Sequence, residues 1–344
     1  MNDRHVRLDG PSDLLAAVPH LVGFYPVDSV IVLTFHDIHA RPRLAAAMRL
    51  DVPRPAVYDR FLATVQPPLL ADPDVDGVIA VVTTAAGDLA AEGLPHHGLV
   101  SRLATLCSEI GVPLLQAFWT PEFRAGAPWG SYADPLVTGT VADPSASALG
   151  VVAALAGEVT YSSLPEMTEL LAPQLDEASA ARWRTALDTL TDQTTTATTG
   201  EYDNAAHRLV LETIHALAEG GEVCEDILIR VLHAISDQRI RDAVFRTALG
   251  PHARAAEGLW ITLMRCAPTG PEVVEAAVLL TFSAYMRGHG TLAALALERA
   301  LHIDPDHSFA RLLNQALSYG IPPDKLAPIA DAEPNPTSVR GSDR

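Results

Sequence analysis

Residues 13–34 read DLLAAVPHLVGFYPVDSVIVLT, and this stretch sets the order of the first two elements. Pro11 opens a helix as a first-turn residue, where its missing N–H costs nothing, and Leu14, Leu15 and Val18 then fall on one face. Pro19 is expected to end that helix soon afterwards. Gly23, Pro26 and Asp28 make a turn, and residues 29–35 follow as a β-branched run without alternation, the pattern of a strand buried on both faces. The helix is expected to pack beside the strand it feeds.

Outward from there, residues 43–50 form a second apolar run behind the turn-rich HDIHARP, which predicts a β-hairpin. Val57, Phe61 and Val65 have helical spacing within residues 56–65, and DGVIAVVTT at 76–84 is the clearest buried strand. A helix over 99–110, closed by Gly111, and a strand over 113–120 complete the order β-β-α-β-α-β. That order predicts an α/β domain, a mixed sheet flanked by helices.

From Ser145 the strands stop. Ser145 caps one helix, Pro165 opens another, and residues 176–190 place Trp183, Leu187 and Leu190 on one face. The Thr-rich run TDQTTTATTG at 191–200 is the expected linker. Helices then follow over 204–218, 225–235, 238–249, 251–266, 271–286, 292–302 and 308–319, separated by short turns, which predicts an all-α domain of stacked antiparallel neighbours. The expected division is 1–160 for the α/β domain, 161–200 for the connection, 201–329 for the helical domain and 330–344 for a disordered tail.

Asp13, Leu14, Leu15, Ala16, Val18, Pro19, Leu21, Gly23, Phe24, Pro26 and Ser29 resemble the opening of an actinobacterial family, domain of unknown function 4192. Trp129, Ser131 and Tyr132, and the run from Ala296 to Pro305, resemble later segments of the same family. Members often carry a cysteine cluster after the aromatic segment, whereas this chain continues ADPLVTGTVADPS, so the resemblance implies no metal or redox role there. Leu280, Ala293, Ala300 and Pro305 also resemble one tetratricopeptide repeat, with Ala277 and Ala284 in place of its tryptophan and tyrosine.

A chain of 344 residues exceeds the size at which single cores stop growing, so two domains are expected. Its 48% hydrophobic content includes no apolar run long enough to span a bilayer, and MNDRHVRLDG is neither a secretory nor a transit segment. The formal charge of −18, with a single lysine at Lys325, opposes binding to nucleic acid or an anionic membrane. Cys107, Cys224 and Cys266 lack paired spacing and are expected as core thiols in a cytoplasmic protein. Neither a metal nor a cofactor is expected.

No GxGxxG, GxxxxGK[ST] or GxSxG motif is present, which leaves nucleotide and serine-hydrolase chemistry without their usual frameworks. The segments after Phe35, Thr84 and Trp119 are the places to search for a site, because ligands of α/β sheets lie beyond parallel strand ends. His36, Asp37, His39, His96 and His97 fall there. The ligand-binding candidates are His97, Trp129, Tyr132 and Asp134, on the reading that an aromatic loop closes over a ligand; the same aromatics also suit pinning that loop. Arg287, Glu298, Arg299 and Arg311, read as long charges on helix surfaces, are the candidates for contact with a protein partner through the C-terminal helices. The expectation is a non-enzymatic interaction or regulatory protein, with an enzyme or small-ligand binder as the alternative.

Overall fold

The computed structural model describes residues 8–85, 93–195 and 199–331. The chain divides into two compact units, residues 1–167 with 318–321 and residues 168–317 with 322–344.

The first unit begins with helix α1 (Pro11–Val22), which buries Leu14, Leu15, Val18 and Val22. Pro19 lies inside this helix rather than ending it. The final turn is held by His20, whose ring bonds the Thr160 hydroxyl at 2.7 Å and the Pro144 carbonyl at 2.8 Å. Gly23, at φ 88°, then closes the helix by giving its N–H to the Pro19 carbonyl.

Strand β1 (Ser29–His36) pairs antiparallel with β2 (Arg43–Asp51) as the expected hairpin. After helix α2 (Tyr58–Ala71), strand β3 (Gly77–Thr83) pairs antiparallel with the other side of β1. Helix α3 (His97–Glu109) crosses to β4 (Leu114–Thr120), which is parallel to β3. Two short strands, β5 (Pro128–Ser131) and β6 (Thr138–Thr140), extend the sheet to the order β2-β1-β3-β4-β5-β6. Since β1 runs against β3, the residues after Phe35 lie at the opposite end of the sheet from those after Thr83 and Thr120. His36, Asp37 and His39 therefore do not join the other strand-end segments. His36 instead bonds Asp72 at 2.8 Å.

One face of the sheet packs Val30, Val32, Val78, Ala80, Val82, Ala117 and Trp119 against Tyr58, Phe61, Val65, Leu69, Leu99 and Leu103. Fully buried Ser29 ties the turn before β1 to the edge strand. Its hydroxyl donates to the Val27 carbonyl at 2.6 Å and accepts from Arg49 Nε at 2.8 Å, while the Arg49 guanidinium lies 5.7 Å from the Phe24 ring centroid. Helix α4 (Ala148–Ala156) starts at Ser147, whose hydroxyl accepts from Gly150 N–H. Helix α5 (Leu164–Glu169) follows.

The second unit contains α6 (Glu177–Thr195), α7 (Thr199–Ala218), α8 (Glu225–Ile235), α9 (Gln238–Val244) and α10 (Ala253–Cys266). It continues with α11 (Pro271–Met286), α12 (Gly290–Ile303), α13 (Ser308–Ser318) and α14 (Pro323–Asp331). The Thr-rich run is helical through Thr195 and again from Thr199; residues 196–198 lie outside the described ones. Thr185, Thr189 and Thr191 give their hydroxyls to carbonyls four residues back, which lets polar side chains ride on a helix. The expected tail is helical as far as Asp331, and the rest of it lies outside the described residues. Cys107 is a core thiol, as read, but Cys224 is exposed at the N-cap of α8 and Cys266 is half-buried.

Candidate functional site

The start of α3 follows the carboxyl end of β3 in the chain and is tied to the start of α2 by the bond between Tyr58 and His96. Ser29 pairs with Thr83, so Asp28 stands beside Thr84 at this end. Trp119 Nε1 donates to the Thr84 carbonyl at 3.2 Å and closes the floor between the two parallel strands.

His96 is the centre of the arrangement. It is the N-cap of α3 at φ 56° and ψ 25°, a left-handed conformation that costs a residue with a Cβ of this size. Asp28 is also left-handed, at φ 42°. Among the described residues the third such non-glycine is Asp37, at the far end of the sheet. The His96 ring is held through Nδ1 by the Tyr58 hydroxyl at 3.0 Å. Burial lowers the His96 pKa against an opposing pull from the Asp28 carboxylate, which leaves the imidazole neutral at neutral pH. Burial raises the Tyr58 phenol, with Arg102 opposing, so it stays protonated.

Tyr132 secures this helix start. Its hydroxyl donates to the Pro95 carbonyl, and its ring lies 6.2 Å from that of His97. Burial and the neighbouring Tyr58 raise its phenol far above the ordinary range. His97 is exposed, with Nδ1 against the Ser101 hydroxyl at 3.2 Å.

Of the four ligand-binding candidates, His97 and Tyr132 thus come together. Trp129 does not join them, because it sits in strand β5 rather than a loop and turns to the other face of the sheet. There its Nε1 donates to Ser12 at 3.2 Å and its ring meets Phe118 edge-on at 5.5 Å. A Cβ at Gly139 would lie 2.8 Å from the indole, so only glycine admits this packing. Asp134 is exposed and accepts the Leu136 N–H at 2.9 Å, a turn-forming role. Sequence reasoning passed over Asp28, Tyr58 and the central place of His96. Their signal was the use of Asp and His immediately before a strand and a helix, positions that tolerate or demand unusual φ.

The four partner candidates differ in exposure. Glu298 and Arg311 are exposed. Arg287 is engaged with buried Glu257 at 3.3 Å, and half-buried Arg299 donates to the Leu171 carbonyl. Arg299 is therefore not a free surface charge; burial lowers its pKa. A further cluster was not read from sequence. Arg241, 4% exposed, donates through Nε and Nη2 to Asp242 and through Nη1 to Glu275 at 2.9 Å. Glu275 also bonds His307 Nε2 at 3.1 Å, and His307 Nδ1 accepts the Ala310 N–H, which fixes the ring hydrogen on Nε2. The guanidinium lies 6.0 and 5.5 Å from the Phe245 and Phe309 ring centroids. Every member is paired inside the helical unit, so this network joins α9, α11 and α13 rather than presenting a site.

A mixed six-stranded α/β unit with a polar aromatic cluster at its parallel strand ends, followed in sequence by an all-helical unit, defines the class of protein. The family model described as Domain of unknown function (DUF4192) matches residues 11–324, and the chain belongs to that family. No curated protein and no solved structure matches the chain. Among the described residues no helix is long and apolar enough to cross a membrane.

Proposed function

We propose that this is a cytoplasmic small-ligand-binding protein whose site lies at the strand ends of the α/β unit. The observation that carries the reading is His96, held left-handed with its ring fixed on Tyr58 and a second left-handed residue, Asp28, close enough for its charge to act on the imidazole. Two strained residues at the carboxyl ends of parallel strands mark a place where the fold sustains a cost of about 1–3 kcal/mol each. Part-buried Tyr132 and exposed His97, with ring centroids 6.2 Å apart, supply aromatic surface for a flat molecule of modest size, and buried Tyr58 holds the His96 ring from below.

The test is ligand-observed NMR on the full chain with a panel of small planar amides, acids and alcohols. Binding by the parent, lost in His96→Asn and Tyr58→Phe, supports the reading. Asparagine tolerates the left-handed backbone, so the fold is kept while the ring is removed. A panel without any binder, or binders indifferent to both substitutions, overturns it.

A second reading, a protein partner on the C-terminal helices, is favoured by the exposure of Glu298, Arg311 and Leu312 and by the tetratricopeptide-like pairing of α11 with α12. A partner whose affinity falls on Arg311→Glu but not on His96→Asn would establish it instead.

A further inference from the structure

Strand β2 ends the sheet with nine residues, and β1 occupies one side of it. We propose that its outer edge pairs with the same edge of a second copy of the chain, antiparallel across a two-fold axis, so that two six-stranded sheets become one. The Val52 N–H donates to the Asp28 carbonyl at 2.8 Å, which continues the ladder past Ser29 and Asp51 and fixes its phase. Leu50, Met48 and Ala46 share that phase and spend their backbone groups on Val30, Val32 and Thr34. The N–H and C=O of Ala47, Arg49 and Asp51 therefore point away from β1, and none of them has a partner among the described residues. Charges that usually guard such an edge are turned aside here. The Arg49 side chain is only 17% exposed, with Nε on the Ser29 hydroxyl and its guanidinium near the Phe24 ring. Arg43 lies beyond the register shift at Thr34 and Phe35 and is held by Asp37 at 2.6 Å.

A second copy fits because β2 is complementary to itself in one register. With Arg49 opposite Arg49 of the second copy, Ala47 meets Asp51 on either side, and all three outward residues form hydrogen-bonded pairs. On the face toward α2 and α3, Met48 then meets Leu50, and these part-buried side chains extend the core across the axis. On the other face each Arg49 keeps its own Asp51 at 2.6 Å and stands diagonal to Asp51 of the second copy, so two arginines and two aspartates alternate in sign around the axis. Sliding one strand by two residues sets Arg49 against Asp51 but brings Ala47 opposite Pro53, which has no N–H to give. An extended segment of another protein would have to reproduce this pattern of charge and apolar side chains, whereas a second copy supplies it.

Sedimentation velocity of the full chain across the micromolar range, with amide hydrogen exchange followed by NMR, tests the pairing. The parent should be a dimer in which the Ala47, Arg49 and Asp51 N–H groups exchange slowly, and they should exchange fast once dilution gives the monomer. Ala47→Pro removes an outward N–H and leaves the ladder to β1 intact, so it should keep the fold and weaken the dimer by at least about tenfold. Asp51→Arg changes a side chain that is 84% exposed in the single chain and puts four like charges around the axis, which should also weaken the dimer by at least about tenfold. This second variant decides the matter if Ala47→Pro does not fold. A parent that is monomeric throughout, a dimer whose affinity neither substitution changes, or a dimer whose Arg49 and Asp51 amides exchange as freely as in the monomer overturns the proposal. Slow exchange of those amides in a parent that sediments as a monomer would mean that a segment of the same chain covers the edge, and overturns it too.

Discussion

Replacing Arg241 by Met tests whether the helical unit depends on its buried ion network. The guanidinium makes three of the network's hydrogen bonds and is almost wholly removed from water. Its loss strands Glu275, whose side chain is 15% exposed, with His307 as its one remaining partner. Asp242, 36% exposed, is rehydrated at little cost. Removing one member of a buried pair costs about 3–5 kcal/mol, and the partial solvation here sets the expectation at about 3 kcal/mol. At about 2–4 °C per kcal/mol for a unit of this size, the melting temperature should fall by about 6–12 °C. Urea unfolding followed by circular dichroism, with calorimetry beside it, reads both quantities. The pair change Arg241→Met with Glu275→Leu should recover part of the loss, since no charge is then left buried. The pH dependence has a definite sign. Burial pushes the Glu275 carboxyl up, but the His307 hydrogen bond and the Arg241 charge outweigh it and hold the pKa below the usual value. A depressed carboxylate stabilises fully above its unfolded value of about 4.3 and loses that contribution as pH falls through the folded value. The parent should therefore lose more stability than Arg241→Met on acidification below about pH 4. A single variant within about 0.5 kcal/mol of the parent, with an unchanged acid profile, would show that the network contributes nothing net.

Ser29→Ala should cost about 1–3 kcal/mol in denaturant unfolding, because it leaves the Val27 carbonyl and Arg49 Nε without their shared partner in a buried place. Gly139→Ala should cost a similar ~1–3 kcal/mol through the indole of Trp129, and Trp129→Leu in the same chain should relieve most of it. With a chromogenic disulfide reagent, exposed Cys224 should react first. Cys107, buried and with its thiol pushed up to about 11, should react on unfolding. Fast labelling of Cys107 in the native protein would mean that the core under α3 opens.

Elements whose burial is continuous were legible in the sequence. The β-branched runs of β1 and β3 and the limits of α8 and α11 follow from apolar spacing and from Gly and Pro at the ends. Strand direction was not, because a run buried on both faces looks the same in either sense. That is why the residues after Phe35 were grouped with the wrong end of the sheet. Strands β5 and β6 are four and three residues long and hold Pro128, Gly130 and Gly139, so they have no period to detect. One proline misled. Pro19 read as a helix end, but burial of Val22 beyond it carries α1 on to Gly23. In the site, aromatic residues were visible as types, but the face each takes depends on strand register, which separated Trp129 from Tyr132. Charge was equally incomplete, since nothing in ALERALHIDP shows that Arg299 bends back to a backbone carbonyl 128 residues earlier.

Helix α11 carries buried side chains at eleven of its sixteen positions, from Val273 to Ala284, on every side. Such a segment has no polar face with which to exist alone in water. During synthesis α8, α10 and the turn at Phe245–Ala248 are made first, and the apolar surfaces they later press against α11 wait in the open until residue 286 is available. At about 5–20 residues per second, the interval from the end of α8 is about 3–10 s. Through that interval the nascent helical unit is a set of unfinished surfaces, and it is then, rather than after completion, that the chain has most need of a chaperone.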